Sequence, residues 1–422
     1  MGGIGLSVIR IQGLKSLRGE MKIQGSKNAV LPVMAAALLH EGMIVIKNIP
    51  RIQDVFCMIE ILEALGCQCQ LEGHELVIDT RGLCRSQVPD EAGGRMRSSI
   101  MLLGPLLGRL RQAETCYPGG CVIGRRPIDL HLAALRQMGV EICSEGETIK
   151  AFARNLQGTD LSLAFPSVGA TENALMAAVA ARGITRIRGA AREPEIEVLC
   201  RFCESMGVRI EGIGSGFLTV YGGTKLHDCE FTVPGDRIVA GTYLGALAVT
   251  GGELCLQGVP ATHMAGTLGA LQQTGCICEI DPECICARMD GRPYPVNLST
   301  GPYPEFPTDL QSVMLAVASV ADGYSRIQEN IFEERFATAE ELKKIGAHIT
   351  IKGGSAHVIG KYPLVGGEIW ASDLRGGAAL VVAGLASEKE SRIHGYSYIS
   401  RGYEDICGDL TALGAEIALE ED

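Results

Sequence analysis

The sequence predicts an α/β protein built from six copies of one structural unit. The first observation is a glycine that recurs between a helix-like stretch and an alternating strand, at Gly66, Gly139, Gly207, Gly275, Gly346 and Gly414. Successive glycines are 73, 68, 68, 71 and 68 residues apart. The second observation is a small-residue helix and a further strand upstream of most copies. With its first strand included, each unit therefore runs βαβαββ.

Each element of the unit has a local reason. The recurring glycine suits the position after a helix C-terminus, where a left-handed backbone costs a residue without Cβ nothing. Alternating strands begin near Gly42, Gly183 and Gly323. Helices rich in alanine and glycine, which allow close approach and favour burial between sheets, are predicted at Asn28–Leu39, Thr171–Ala181, Ile238–Val249, Asp309–Val320 and Leu374–Ala386. Both a solenoid and a barrel-like arrangement fit this pattern.

Composition excludes several classes of protein. The 422 residues suggest two or three domains, and 46% hydrophobic with 21% charged residues excludes wholesale disorder. The longest apolar runs are too short for a membrane span and no signal peptide is recognisable, so a cytoplasmic protein is expected. The formal net charge of −11 argues against general nucleic-acid binding but leaves room for a local cationic pocket.

Sixteen cysteines are spread along the chain. Without an export signal, free and mostly buried thiols are expected rather than a disulfide framework. Cys67, Cys69, Cys276 and Cys278 fall at inward repeat positions. The second pair, together with Cys284 and Cys286, could alternatively bind zinc, but the repeat favours small buried hydrophobic residues. The Cys200 and Cys203 pair is interpreted as helix packing.

Common nucleotide and metalloprotease motifs are absent from the sequence. Instead, basic residues stand at turns and helix starts, where functional side chains often lie on a rigid scaffold, namely Lys27, Arg97, Arg126, Arg335, Arg375 and Arg401. Singly, each fits a solvated or salt-bridged surface cation; converging, they would bind phosphate and carboxylate groups.

Two further residues fit acid–base chemistry. Cys121 lies in a glycine-rich loop beside two arginines, which predicts an exposed thiol with thiolate character. Asp309 follows a proline where a loop enters a helix. Its carboxylate would either stabilise the helix N-terminus or act as a base beside a hydroxyl.

Several longer motifs resemble the UDP-N-acetylglucosamine 1-carboxyvinyltransferases, a family of enolpyruvyl transferases, nearly end to end. They are Gly25-Ser26-Lys27-Asn28, Pro118-Gly119-Gly120-Cys121, Arg126-Pro127-Ile128-Asp129-Leu130-His131, Ser167-Val168-Gly169-Ala170-Thr171, Glu193-Pro194-Glu195, Phe306-Pro307-Thr308-Asp309 and Asp373-Leu374-Arg375. The resemblance implies an inside-out α/β barrel of two globular domains, each with three βαβαββ repeats. One domain would comprise residues 1–26 and 235–422, and the other residues 27–234, with hinge crossings near 22–27 and 231–236 and closure on substrate binding.

The resemblance also implies a reaction. The enolpyruvyl group of phosphoenolpyruvate would pass to the 3′-hydroxyl of UDP-N-acetylglucosamine with release of phosphate, opening the synthesis of peptidoglycan precursors. Cys121, the expected target of fosfomycin, would be the general acid, Asp309 would orient or deprotonate the hydroxyl, and Lys27 would assist. No metal or organic cofactor would be needed, because the cations would supply the electrostatic stabilisation. Phosphoenolpyruvate would be held by Lys27, Asn28, Arg126, Arg335, Arg375 and Arg401. The nucleotide sugar would be held by Arg97, Arg126, Pro127, Ile128, Asp129, Leu130, Ser167, Val168, Gly169, Asp309 and Ile331.

Departures from the family pattern are few: Gly235 and Val239 at the second crossing, and Met101 after Arg97. Two alternatives remain, an enolpyruvyl transferase acting on shikimate 3-phosphate and a catalytically idle paralogue that binds nucleotide sugars. The first would lack the Pro-Gly-Gly-Cys loop, and the second would be expected to lose Lys27, Cys121 or Asp309. Small-molecule substrates are the expected partners, with no nucleic acid, no membrane and no evident obligate protein partner.

Overall fold

The computed structural model describes residues 7–117, 119 and 128–421. The described chain divides into two compact units. Unit 1 contains the residues up to Gln24 and those from Gly235 onward, and unit 2 contains the described residues between Gly25 and Pro234. The chain therefore begins in unit 1, builds unit 2, and returns to complete unit 1.

Three sheets are found among the described residues of unit 2. In strand order, they are β13 (Cys229–Thr232), β3 (Met43–Lys47), β5 (Glu75–Asp79) and β4 (Gln68–Glu72); β6 (Gln112–Cys116), β8 (Thr148–Phe152) and β7 (Glu141–Glu145); and β11 (Arg209–Glu211), β12 (Phe217–Gly222), β10 (Gly183–Arg188) and β9 (Asp160–Ser162). In the three-stranded sheet, a parallel bridge between Gln87 and Glu114 takes the place of the first strand. Each sheet thus corresponds to one predicted repeat.

Unit 1 repeats this plan with three four-stranded sheets. They are β15 (Ile277–Asp281), β16 (Cys284–Met289), β14 (Gly252–Gln257) and β2 (Leu17–Lys22); β17 (Asn297–Ser299), β18 (Tyr324–Gln328), β20 (Ser355–Ile359) and β19 (His348–Lys352); and β21 (Gly367–Trp370), β22 (Ser391–His394), β1 (Val8–Gln12) and β23 (Glu416–Glu420). One pair in each sheet is parallel, β2 with β14, β17 with β18 and β21 with β22, and the other pairings are antiparallel.

The helices follow the predicted positions. Unit 2 contains α1 (Lys27–Ala37), α2 (Gln53–Ala64), α3 (Asp90–Arg95), α4 (Leu103–Leu110), α5 (Asp129–Gln137), α6 (Val168–Ala180), α7 (Pro194–Ser205) and the 3₁₀ helix η1 (Arg97–Leu102). Unit 1 contains α8 (Arg237–Thr250), α9 (Ala265–Gln273), α10 (Gln311–Val320), α11 (Thr338–Lys344), α12 (Leu374–Leu385), α13 (Tyr396–Ile399), α14 (Ile406–Ala412) and the 3₁₀ helices η2 (Ala261–Met264) and η3 (Thr308–Leu310). Among the described residues, each helix is too short or too polar to cross a membrane.

The small-residue helices are buried, as the composition of these segments predicts. Every residue of α10 and α12 is buried. A Cβ atom added to Gly245 of α8 would lie 2.5 Å from Cγ1 of Val313 in α10, and one added to Gly108 would lie 2.6 Å from the Cβ of Ala180. These contacts are too short for a real Cβ, so glycine allows the central helices to pack at close range.

The recurring glycine also has the predicted conformation. All six copies follow the last residues of a helix and have positive φ, from 85° at Gly139 to 107° at Gly66. The backbone N–H of each glycine donates to the carbonyl of the third residue before it. Glycine is therefore required by the left-handed turn that connects helix to strand.

The cysteines differ from prediction in three respects. Cys255 and Cys286 form a disulfide across β14 and β16, so these two are not free. Of the thirteen free cysteines among the described residues, only six are buried: Cys57, Cys67, Cys200, Cys203, Cys276 and Cys407.

Cys284 and Cys286 face away from the buried side that Cys276 occupies, because the β15–β16 register places Cys284 opposite Asp281 and Cys278 opposite Ala287. The sulfur atoms of Cys276, Cys278, Cys284 and Cys286 therefore do not converge on one point. The predicted packing role of Cys200 and Cys203 is confirmed by their complete burial.

Candidate active site

The strongest ionic cluster in unit 1 surrounds Asp309. Pro307 precedes η3, which carries Asp309. The Asp309 side chain is 28% exposed and lies beside two almost buried arginines. Arg335 Nη2 donates to Oδ1 at 2.8 Å, and Arg375 Nη2 donates to Oδ2 at 3.0 Å. The carboxylate therefore serves as an ion-pair partner rather than as a helix cap.

Arg375 has a further hydrogen-bond donor that Asp309 does not use. Its Nη1 is buried and has no hydrogen-bond partner among the described residues. Burial disfavours the charged guanidinium, but Asp309, Tyr403 and Asp236 outweigh that effect and raise the pKa of Arg375 above its ordinary value. A permanently charged, buried donor without a partner is costly unless an anion completes its shell. The cluster is thus suited to bind a carboxylate or phosphate oxygen.

The backbone around Arg375 is fixed by a second carboxylate. Asp373 caps α12 by accepting from the N–H groups of Arg375 and Gly376, both at 3.0 Å. Buried Tyr403, whose hydroxyl is 2.7 Å from the Thr242 hydroxyl, interacts electrostatically with Arg375 and contributes to its raised pKa. The guanidinium is therefore held by fixed groups before any ligand binds.

Two other predicted residues of unit 1 lie on ordered turns. Half-buried Arg401 precedes Gly402, whose carbonyl accepts from the Gln24 side chain at 3.1 Å. Ile331 donates its backbone N–H to Glu329 Oε1 at 2.8 Å, and the Glu329 carboxylate also accepts from the Thr308 hydroxyl. The Ile331 turn is thereby connected to the segment that carries Asp309.

In unit 2, Lys27 is the first residue of α1. It is 9% exposed, and its Nζ lies 2.8 Å from Oδ2 of Asp54, which is also buried. Ser26 precedes it at the cap position and makes no side-chain cap bond, and Asn28 follows it half-buried. The Lys27 side chain is thus held by Asp54 at a helix N-terminus, where an anion is favoured.

A buried amide connects the next predicted residues. Asn173 of α6 accepts from the N–H of Gly104 at 2.9 Å and donates to the carbonyl of Ile100 at 2.8 Å. Its Nδ2 is also 3.0 Å from His131 Nδ1, so His131 accepts there and carries its proton on Nε2. Asn173 thus joins α4, α5 and α6 to η1, the 3₁₀ helix that begins at Arg97.

The N-terminus of α6 carries Ser167, Val168 and Gly169, all half-buried. Ser167 Oγ caps the helix by accepting from the N–H of Ala170 at 3.4 Å. A Cβ on Gly169 would lie 2.7 Å from His131 Cε1, so only glycine admits the imidazole. Ile128 is buried, and Asp129 and Leu130 begin α5, which packs on α6. These predicted residues are therefore neighbours.

Behind this helix terminus lies Glu172. Burial, followed by the charges of Glu195 and Glu193, raises its pKa to about 8, so the carboxyl group is mainly neutral at pH 7. Its Oε2 is buried without a hydrogen-bond partner among the described residues.

The structure brings together two predicted groups: Asp309, Arg335 and Arg375 in unit 1, and Ile128–Leu130 with Ser167–Gly169 in unit 2. Cys121, Arg126 and Pro127 lie outside the described residues. The sequence reasoning missed the residues that hold the site side chains, which are Asp54, Asn173, Tyr403 and Asp373, and it missed the buried carboxyl group of Glu172. Asp373 stands two residues before Arg375, so helix-capping rules could have found it. The contacts of the other three holding residues join distant segments and leave no local signal.

Comparison with known proteins identifies the family of the chain. The family model described as EPSP synthase (3-phosphoshikimate 1-carboxyvinyltransferase) matches residues 11–410. The UDP-N-acetylglucosamine 1-carboxyvinyltransferase 2 of Caldanaerobacter subterraneus is 45% identical over 97% of this chain and 98% of its own. The enzyme of that name from Mycobacterium bovis is 42% identical over 96% and 97%. The chain belongs to the UDP-N-acetylglucosamine 1-carboxyvinyltransferase family of enolpyruvyl transferases.

Solved enolpyruvyl transferases share the fold. The enolpyruvyl transferase NikO from Streptomyces tendae superimposes with a TM-score of 0.89 at 23% identity, covering 99% of this chain and all of that one. An EPSP synthase from Acinetobacter baumannii gives 0.77 at 20% identity, covering 98% and 100%. The predicted fold class, an inside-out α/β barrel of two domains with three repeats each, is confirmed.

Proposed function

We propose that this protein transfers the enolpyruvyl group of phosphoenolpyruvate to the 3′-hydroxyl of UDP-N-acetylglucosamine and releases phosphate. The identity of 39–45% to curated enzymes of that name, over nearly the whole length, carries this proposal. The product would enter peptidoglycan precursor synthesis. Small-molecule substrates are the partners that the reaction requires.

The cationic residues would divide between the two substrates. Arg335 and Arg375, with Arg401, bind the phosphate and carboxylate of phosphoenolpyruvate, and the buried Nη1 of Arg375 supplies a donor for it. Lys27, Asn28 and Arg126 complete that set. Arg97, Arg126 and the segments Pro127–Leu130 and Ser167–Gly169 bind the nucleotide sugar, the last through the positive end of α6. Ile331 lines the sugar site.

Asp309 would work on the acceptor hydroxyl. Its carboxylate is held on both oxygens by guanidinium groups, which fix its orientation. The remaining lone pairs can accept from the 3′-hydroxyl and receive its proton as oxygen attacks C2. Cys121 would protonate C3 of the enolpyruvyl group, which makes C2 electrophilic. Loss of phosphate from the tetrahedral adduct then follows, with the arginines stabilising the developing charge.

Phosphate release tests the proposal. Purified protein is expected to release inorganic phosphate only when phosphoenolpyruvate and UDP-N-acetylglucosamine are both present. Asp309→Asn keeps the shape of the side chain and is the matched inactive control, and Asp160→Asn, an exposed change on β9, is the active one. Binding of the nucleotide sugar without turnover would identify the idle paralogue instead.

The family model description makes shikimate 3-phosphate the second acceptor to test. The two acceptors differ in charge distribution, and only the nucleotide sugar offers a diphosphate to the N-terminus of α6. We expect no phosphate release with shikimate 3-phosphate at concentrations that saturate with the nucleotide sugar. Turnover with shikimate 3-phosphate alone would overturn the proposal.

A further inference from the structure

Three cysteines share the outer face of one sheet in unit 1. Strands β14 and β16 turn Leu254, Leu256 and Ile285, each fully buried, toward the core. Alternate residues point the other way, so Cys255, Cys284 and Cys286 lie on the opposite face. All three residues are half-buried, on a face that lies away from the core.

The strand register brings their sulfur atoms together. Cys255 and Cys286 are directly opposite in the antiparallel ladder, with Cα atoms 4.1 Å apart, and form a disulfide. Cys284 is two residues before Cys286 on the same face, and its Sγ is 4.0 Å from the Cys286 Sγ. That is van der Waals contact between a thiol and a disulfide sulfur, so the two atoms that would react are already neighbours.

We propose that Cys255, Cys284 and Cys286 form a thiol–disulfide exchange site whose external reactant is a low-molecular-weight thiol or disulfide. Cys286 is the central sulfur. The Cys284 thiolate attacks Cys286 Sγ, forming the Cys284–Cys286 bond while the Cys255–Cys286 bond breaks and Cys255 leaves as the thiolate. One disulfide is consumed and one is formed, so the exchange within the protein needs no external oxidant.

An external disulfide can form the protein disulfide again when all three cysteines are reduced. A Cys286 thiolate attacks glutathione disulfide, giving a mixed disulfide and one glutathione. Cys255 or Cys284 then displaces the second glutathione, so two protein thiols are oxidised while one glutathione disulfide is reduced. Because two resolving thiols flank Cys286, the mixed disulfide is short-lived.

Three other cysteines that the structure describes, Cys143, Cys200 and Cys203, lack this combination. Cys200 and Cys203 are completely buried, and burial raises the pKa of both thiols, which suppresses the reactive thiolate. Cys143 is an exposed strand cysteine whose Sγ contacts the carbonyl of Lys150 at 3.8 Å. It therefore provides a matched single-thiol control on another sheet.

The experiment treats fully reduced protein with glutathione disulfide, blocks remaining thiols by alkylation, and maps linkages after cleavage on the carboxyl side of glutamate. Cleavage after Glu253, Glu279, Glu283 and Glu305 separates Cys255 from the peptide that holds both Cys284 and Cys286. A Cys255–Cys286 bond thus joins two peptides, and a Cys284–Cys286 bond lowers the mass of one peptide by two hydrogens.

Single serine variants give a distinct pattern. Cys255→Ser is expected to form the Cys284–Cys286 bond, and Cys284→Ser is expected to form the Cys255–Cys286 bond. Cys286→Ser should form neither and should accumulate glutathione on the two remaining cysteines, at least about tenfold above wild type. Cys143→Ser should behave as wild type at the sheet. Circular dichroism is the control that checks whether each variant is folded.

Two results would overturn the proposal. If folded Cys255→Ser forms no Cys284–Cys286 bond, Cys284 is not an exchange partner. If wild type and Cys286→Ser accumulate equal mixed disulfide, Cys286 is not the central sulfur. These linkages are read without enzyme activity, so the outcome is independent of the proposed transferase reaction.

Discussion

Units 1 and 2 repeat the same three-sheet plan but arrange charge at their helix N-termini differently. Unit 1 caps α8 and α12 with carboxylates, Asp236 and Asp373, which accept from backbone N–H groups. Unit 2 places the neutral residues Ser26 and Ser167 before α1 and α6. The positive ends of α8 and α12 are thus offset by acidic caps, whereas α1 and α6 have neutral cap residues and no acidic residue in the first turn.

The cations complement that difference. In unit 1, two arginines bind one carboxylate, Asp309, and the charge there is carried by side chains. In unit 2, Lys27 pairs with Asp54 at a helix terminus that adds its own partial positive charge. The two proposed anion sites therefore differ in kind, one being made of guanidinium groups and one being centred on helix ends.

Asp309→Asn should give the largest effect and test the unit 1 cluster. The amide cannot accept the proton of the acceptor hydroxyl, so we expect kcat to fall about 10²- to 10⁴-fold. Steady-state phosphate release measures this. Inorganic phosphate should raise the melting temperature of the variant more than that of wild type, since two guanidinium groups lose their carboxylate. A variant with wild-type kcat would remove Asp309 from the chemistry.

Asp54→Asn tests the unit 2 pair. Asparagine removes the carboxylate that pairs with the buried Lys27 side chain, and we expect the free energy of unfolding to fall by about 3–5 kcal/mol. Urea denaturation measures the change. The control Asp160→Asn removes an exposed partner of Arg186 and should change stability by about 1 kcal/mol or less. Equal effects in both variants would show that burial of the Lys27 pair has no consequence.

Arg375→Ala and Arg401→Ala separate the two substrates. Each removes a charge-assisted contact of about 1.5–3 kcal/mol, so use of phosphoenolpyruvate should weaken about 10- to 150-fold. Binding of UDP-N-acetylglucosamine, measured by calorimetry, should change much less. Arg326→Ala, an exposed change on β18, is the control. An equal loss for both substrates would contradict the assignment of separate anion sites.

Glu172→Gln tests the environment behind α6. The native pKa of Glu172, about 8, is raised above the ordinary value of 4.5. The protonated form is therefore favoured by folding, and this contribution is complete below pH 4.5 and lost as pH rises to 8. Across that window, wild type should lose up to about 1.4 kcal/mol per pH unit more than the variant. If the unfolding free energies of wild type and variant changed in parallel with pH, the carboxyl group of Glu172 would not be neutral in the folded protein.

The sequence predicted features that repeat or that depend on local chemistry. The six glycines define the repeats because each must adopt positive φ after a helix, and five central helices follow from their small residues. Asp309, Arg335 and Arg375 were identified individually, but their shared ion pairs depend on segments 66 residues apart. Cys284 and Cys286 were misassigned because the repeat pattern describes the buried face, whereas the strand pairing turns these two outward.

The pairing of β1 with β23 has a consequence for how the chain folds. Arg10 and Glu420 are neighbours there, although 410 positions separate them. All strands of unit 2 lie between residues 43 and 232, so its sheets can assemble while the rest of the chain is still being synthesised. Strands β1 and β2 are made first, yet β1 waits for partners at 391–394 and 416–420. The sheet that contains β1 and β23 is therefore completed last. Its formation has a large entropic cost, because the two strands are about 400 residues apart in the sequence.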